Sequence, residues 1–307
     1  MLDKKRKLIG GAVLISLFVL VYFVLKPVEI ELDSLKNGQI VPWGIKMMQT
    51  ERLWAQGFTG KGIKIAVMDS GISYTHPDLQ GRVKRGLNVL DPGQAPIDDY
   101  GHGTLVSGVL LAQHNDIGIV GIAPDANLYP VKVLDSNGTG HIPAIIKGIE
   151  WCIENNIDII NMSFGIAKDN TELRDSIRAA LDANIIIVAS SMNTYGREAG
   201  YPASYEGVIS VASIDSNFQP GESSPIGKID FSAPGVDVIS TSMNNDYELY
   251  SGTSLAAPHI SGFIALLLQK DPESRANIKK ELMKLTIDLG RPGNDEVFGN
   301  GLVVSQK

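Results

Sequence analysis

A regular alternation between apolar, β-branched runs and helix-patterned segments constrains this chain most. Residues 63–68, 128–133, 157–162, 185–189 and 208–213 are almost wholly apolar, as strands are when helices cover both faces of their sheet. Between them lie helical patterns at 104–113, 142–155 and 171–184. In the second, Ile142, Ile145, Ile146, Ile149 and Ile153 recur every three or four residues and make one buried stripe. In the third, Asn170 or Thr171 can cap the first turn, while Glu172 and Asp175 lie near its positive end. This spacing predicts an α/β fold with a doubly wound, mainly parallel sheet, whose ligand site lies beyond the carboxyl ends of the strands.

Composition narrows the function classes. With 307 residues, 44% hydrophobic and 20% charged, the chain can bury a large core, and no short repeat points to a solenoid. A formal charge of −7 argues against a nucleic-acid partner held through phosphates. The single cysteine, Cys152, excludes an intramolecular disulfide, a zinc ribbon and a CxxC redox pair; between Trp151 and Ile153 it reads as core packing. No HExxH spacing is present, which removes that metalloprotease class.

The N-terminus reads as a membrane signal. Lys4, Lys5, Arg6 and Lys7 against Asp3 give +3, and residues 8–25 carry no charge at all. These 18 residues sit at the short end of a bilayer span, for which ~20 are typical. The basic flank predicts a cytoplasmic N-terminus and a single-pass protein of the cell membrane, with everything after Lys26 outside. A cleaved secretory signal is the competing reading, but Val24-Leu25-Lys26-Pro27-Val28 offers no small-x-small site; a buried core helix is the third. The expected organisation is a basic segment (1–7), a signal anchor (8–25), a connector (26–38) and a globular domain (39–307).

Three segments carry chemistry. Asp69 ends an apolar run, His102 stands between Gly101 and Gly103 at the mouth of a helix, and Ser254 follows Gly252-Thr253 at the start of an apolar helix running to about Leu268. Taken singly these are a turn residue, a loop and a helix cap. Together they supply a nucleophile, a base and an orienting carboxylate at strand and helix ends facing one crevice.

In the order Asp…His…Ser, with Asp-Ser-Gly at 69–71, His-Gly-Thr at 102–104 and Gly-Thr-Ser-Leu-Ala-Ala-Pro-His at 252–259, the chain resembles the subtilisin family of serine proteases from about Gln39 to Val304. The resemblance implies a serine endopeptidase acting on a polypeptide outside the membrane, with Asp69, His102 and Ser254 as triad and Asn193 as oxyanion donor beside the Ser254 N–H. It implies two extended walls for a substrate strand, one through Gly138, Thr139 and Gly140 and one through Ser163, Phe164 and Gly165. It also implies a structural Ca²⁺ held by side-chain oxygens of Gln39, Asp78 and Asn115 and by carbonyls of Gln113, Ile117 and Ile119. His76, His114, His141 and His259 are left with structural roles.

Two departures from the family pattern stand out. Met192 occupies a usual glycine position beside the pocket for the residue preceding the cut, which it should narrow or reshape, and the 194–200 loop is short. Both favour a restricted processing role, such as trimming a leader peptide, over broad digestion. Residues 26–38 leave room only for a connector where relatives carry a chaperone-like prosegment, so folding is expected unaided or with a helper in trans. The non-enzymatic alternative is a catalytically silent binding or sensing protein of the same fold.

Overall fold

The computed structural model describes Leu35 and residues 38–305. The expected anchor and most of the connector lie outside the described residues; among the described residues no helix is long and apolar enough to cross a membrane.

A nine-stranded sheet forms the centre, in the order β10-β11-β7-β6-β5-β4-β1-β3-β2. Its strands are β1 (Lys64–Asp69), β2 (Leu87–Asn88), β3 (Asn127–Lys132), β4 (Ile159–Met162), β5 (Ile186–Ser190), β6 (Ile209–Ile214), β7 (Phe231–Pro234), β10 (Thr286–Ile287) and β11 (Leu302–Val303). Every pairing is parallel except β10 with β11. The five strands expected from sequence are all present, displaced by one or two residues. A separate antiparallel hairpin, β8 (Val238–Thr241) and β9 (Tyr247–Tyr250), was not anticipated.

Side chains alternate between two cores, as a strand's period of two requires. From β1, Ile65 and Val67 enter the core that holds α3 (His102–Leu111), α6 (Thr253–Lys270) and α7 (Ile278–Met283). Ala66 and Met68 enter the opposite core, with α4 (Ile142–Glu154) and α5 (Thr171–Asp182). Two short helices, α1 (Trp43–Met47) and α2 (Glu51–Trp54), precede the sheet. Asn170 caps α5 by accepting the Leu173 N–H at 2.8 Å, as the sequence suggests. Cys152 is fully buried in the α4 core, and burial pushes its thiol far up, which keeps it unreactive.

β1 lies between β3 and β4, so the chain winds one way from β1 through β3 and the other way from β4 onward. This reversal is the switch point where the carboxyl ends of adjacent parallel strands open a crevice. Asp69 ends β1, Ser163 follows β4, and Asn193 lies three residues past β5.

Candidate active site

His102 is the first residue of α3, two residues earlier than the pattern suggests. Gly101 before it has φ of 105°, a left-handed conformation that glycine adopts freely. Gly103 lets the helix approach the loop after β1 so closely that a Cβ there would overlap the Gly71 carbonyl oxygen. The Nδ1–H of His102 donates to Asp69 Oδ1 at 2.9 Å and Oδ2 at 3.0 Å. A carboxylate can only accept, so Nδ1 carries the proton and Nε2 is left as the base. Burial pushes the His102 pKa down, but the charge and hydrogen bond of Asp69 and the charge of Asp98 together lift it above the ordinary histidine value.

Asp98 is a residue of this site that the sequence reading missed. Its Oδ1 accepts from Ser70 Oγ (2.8 Å), Tyr100 N (3.1 Å) and Gly101 N (2.8 Å), and its Oδ2 from Thr104 N (2.8 Å) and Thr104 Oγ1 (2.5 Å). Burial raises its pKa, yet hydrogen bonds from Thr104, Gly101 and Ser70 outweigh that and hold it below the usual carboxylate value. Asp98 thus locks the start of α3 to the loop after Asp69. Lys132, buried at the end of β3, adds bonds of 2.5 Å to the Ser70 carbonyl and to Asp99 Oδ1.

Ser254 stands on the first turn of α6, where backbone N–H groups have no intrahelical partner. Pro258 lies four residues on and has no N–H to give the Ser254 carbonyl. Ser163 Oγ supplies that bond at 2.8 Å, Asn161 Nδ2 donates to Ser163 Oγ at 2.9 Å, and Ser261 Oγ donates to Asn161 Oδ1 at 2.9 Å. This buried chain fixes the turn that carries Ser254 against β4. The Ser254 hydroxyl itself makes no hydrogen bond among the described residues; such bonds often close only with substrate in place.

Asn193 presents its amide toward Ser254. Its Oδ1 accepts from Thr253 N (3.1 Å), Thr253 Oγ1 (3.2 Å) and Ser223 Oγ (3.2 Å), which orients the side chain and leaves Nδ2 without a hydrogen bond among the described residues. A Cβ built on Gly252 would stand 3.0 Å from that Nδ2 and 3.4 Å from Ser254 Oγ, so amide and hydroxyl flank one spot. A cleft of about 310 Å³ unites His102, Ser254 and Asn193 with Gly138, Ser163, Phe164, Gly165 and Met192. Tyr100 and Tyr250 flank the imidazole, with ring centroids 6.5 and 6.3 Å away. Thr139 and Gly140 do not line the cleft: Thr139 O accepts from Asp135 N, and Gly140 pairs with Leu134 in a tight turn.

Residues 60–301 match the sequence pattern of the Subtilase family, Peptidase_S8. The chain is a subtilase. It is 42% identical over 264 residues to the minor extracellular protease Epr of Bacillus subtilis, spanning 85% of this chain but only 40% of that protein. It is 42% identical to the thermostable alkaline protease of Halalkalibacterium halodurans, over 87% of this chain and 73% of that one, and 40% identical to subtilisin E of Bacillus subtilis, over 87% and 70%. The subtilase is accordingly a serine endopeptidase, a hydrolase of peptide bonds.

Away from the cleft, the subtilase gathers the six residues expected to hold calcium. Gln39 Nε2 lies within hydrogen-bond distance of four oxygens: Gln113 O (2.6 Å), Ile117 O (2.9 Å), Ile119 O (3.0 Å) and Asn115 Oδ1 (3.1 Å). An amide NH₂ has only two protons for these four acceptors, a mismatch that a hard cation removes once the Gln39 amide is turned to point Oε1 inward. Asp78 borders the group; its Oδ2 accepts from Ile119 N at 3.0 Å and Tyr247 OH at 2.9 Å, and its Oδ1 from Asn115 Nδ2 at 3.3 Å. Carbonyl and amide oxygens with one carboxylate suit Ca²⁺, and among the described residues no cluster of three or more His, Cys, Asp or Glu could hold a metal. His76 and His259 are structural: burial lowers both, His259 to about 4, while His76 bonds to Asp246 O and His259 to Leu255 O.

Proposed function

We propose that this subtilase cuts polypeptides through an acyl-enzyme formed on Ser254. His102 Nε2 takes the Ser254 proton as Oγ attacks the scissile carbonyl, and Asp69 holds the ring and stabilises the imidazolium. Asn193 Nδ2 and the Ser254 N–H receive the oxyanion, helped by the positive end of α6. His102 then protonates the leaving amine, and a water activated by the same nitrogen hydrolyses the acyl-enzyme. The Asp69–His102 pair beside the free Asn193 amide carries this reading, and it disfavours a silent binding protein, which has no use for an amide held open next to a serine. A fluorophosphonate probe should label Ser254, and Ser254→Ala should lose both labelling and turnover without a change in melting temperature. Turnover persisting in that variant would remove Ser254 from the reaction.

Calcium would be held by Gln39, Asp78, Gln113, Asn115, Ile117 and Ile119, away from the chemistry, tying the N-terminal arm to the body. Saturation at one hundred times Kd adds ~2.7 kcal/mol of stability. Calcium should raise the melting temperature, and Asp78→Ala should abolish most of that rise; a melt indifferent to calcium and chelator alike rules the site out.

The anchor reading, supported by the +3 cluster before eighteen uncharged residues, puts the peptidase outside the cytoplasmic membrane. Protease added to spheroplasts should then remove the catalytic domain, and its protection there would reverse the topology.

A further inference from the structure

Met192 has a backbone φ of 74°, a left-handed conformation that suits glycine and is uncommon for a longer side chain. Its side chain lies across the gap between two glycines. A Cβ added to Gly165 would stand 2.5 Å from Met192 Cγ and 2.9 Å from its Sδ, and one added to Gly200 would overlap Sδ. The strand-like pairing of Ile166 with Tyr201, closed by bonds of 2.7 and 2.9 Å, holds those glycines opposite one another. Met192 also borders two cavities: the 310 Å³ cleft containing His102 and Ser254, and a neighbouring cavity of about 570 Å³ bounded by Arg197, Glu198, Ala199 and Ile226. Together with Asn193, which lines both as well, it separates them.

Consider a substrate strand laid along Ser163–Gly165 with its scissile oxygen at Asn193 Nδ2 and the Ser254 N–H. The side chain of the attacked residue then faces the gap bounded by Gly165, Met192 and Asn193, which the thioether already fills. Resting on the acyl-enzyme reading above, we infer that Met192 is a specificity-determining plug, so that the residue contributing the scissile carbonyl is glycine or alanine. The second cavity would receive a larger side chain only if the partition were removed. This makes the enzyme selective for small residues before the cut, as in the processing of a defined site rather than general digestion.

The test uses the full chain and a set of fluorogenic peptides that differ only in the residue before the cut: Gly, Ala, Leu or Phe. The unmodified enzyme should favour Gly and Ala over Phe in kcat/KM by at least ~10-fold. Met192→Gly, whose backbone suits φ of 74°, should raise the Phe-to-Ala ratio by ~10- to 200-fold, the range that hydrophobic-pocket contacts confer. Met192→Gln keeps the length of the side chain and should keep the preference for small residues. An unmodified enzyme that cuts after Leu or Phe as fast as after Ala overturns the plug, as does a Met192→Gly ratio that does not move. Fluorophosphonate titration of each protein separates two failures: labelled enzyme with the wrong preference refutes the plug alone, while folded enzyme that takes no label refutes the acyl-enzyme reading and the plug with it.

Discussion

His102 and Ser254 both stand on the first turn of a buried helix, yet the two helix starts are held by different chemistry. At α3, a carboxylate takes the free backbone donors: Asp98 accepts from Gly101 N and Thr104 N, while Ser70 Oγ accepts from Gly103 N. At α6 no carboxylate accepts from the first turn among the described residues. There Asn193 Oδ1 accepts from Thr253 N, and neutral groups running from Ser261 through Asn161 and Ser163 hold the Ser254 carbonyl. The difference follows from what each end must do. In the proposed mechanism a negative charge at α3 would favour the imidazolium forming on His102, whereas a negative charge at α6 would cancel the positive helix end that the oxyanion needs. The α3 end is therefore sensitive to pH and the α6 end is not.

Breaking the charged end should have the larger effect. In the unmodified enzyme kcat/KM should rise with pH through a titration above the ordinary histidine value of ~6.5, because His102 is lifted by Asp69 and Asp98 and must be neutral to act. Asp98→Asn removes one of those lifting charges and sets an amide NH₂ among five donors. The onset of activity should move to lower pH, and kcat/KM on its plateau should fall ~10²-fold as His102 loses its fixed position. Stability should fall by about 3 kcal/mol near neutral pH. Since the folded state holds the Asp98 pKa below its unfolded value, the contribution lost is one present above ~3.9 and withdrawn as pH falls through the folded value. The variant's deficit in stability should therefore shrink in acid. An onset that stays in place or moves up would show that Asp98 exerts no charge effect on His102.

How far the sequence made this contrast legible depends on where each signal lies. Asp69, His102 and Ser254 stand in short motifs at element boundaries, and the parallel sheet announces itself through runs such as Ile185–Ile187 that are apolar on both faces. Asp98 is harder to read: it sits in a polar Asp-Asp-Tyr loop, and although four of its five donors lie on the next six residues, the fifth, Ser70 Oγ, comes from the loop after β1 and is brought near only by the fold. Asn161 could have been found, since a lone amide inside Ile159-Ile160-Asn161-Met162 must find partners when the strand is buried. The β8–β9 hairpin is hard to read because its strands are four residues each and β9 is nowhere fully buried, its residues alternating between half-buried and exposed, although Asn244 and Asn245, both left-handed at φ of 66° and 62°, spell a turn. Met192 stands out in the sequence as a departure from glycine, but that its thioether packs against both Gly165 and Gly200 depends on the pairing of two distant loops.

Breaking the neutral end should have the smaller effect and a different signature. Ser163→Ala takes from the Ser254 carbonyl, which Pro258 cannot serve, its one side-chain donor among the described residues, and leaves Asn161 Nδ2 without its acceptor. Leaving buried polar groups unpaired costs ~1–3 kcal/mol, so the melting temperature should drop measurably. The first turn of α6 should loosen and carry Ser254 and its N–H slightly out of line, lowering kcat several-fold, by analogy with other small displacements of reacting groups. No ionisable group is lost and none of the charges around His102 changes, so the pH at which activity begins should match that of the unmodified enzyme. Measured side by side with Asp98→Asn, the two profiles decide the comparison. If Ser163→Ala moves the onset as far as Asp98→Asn does, the two helix starts respond as one unit, and the division between a charged and a neutral end is wrong.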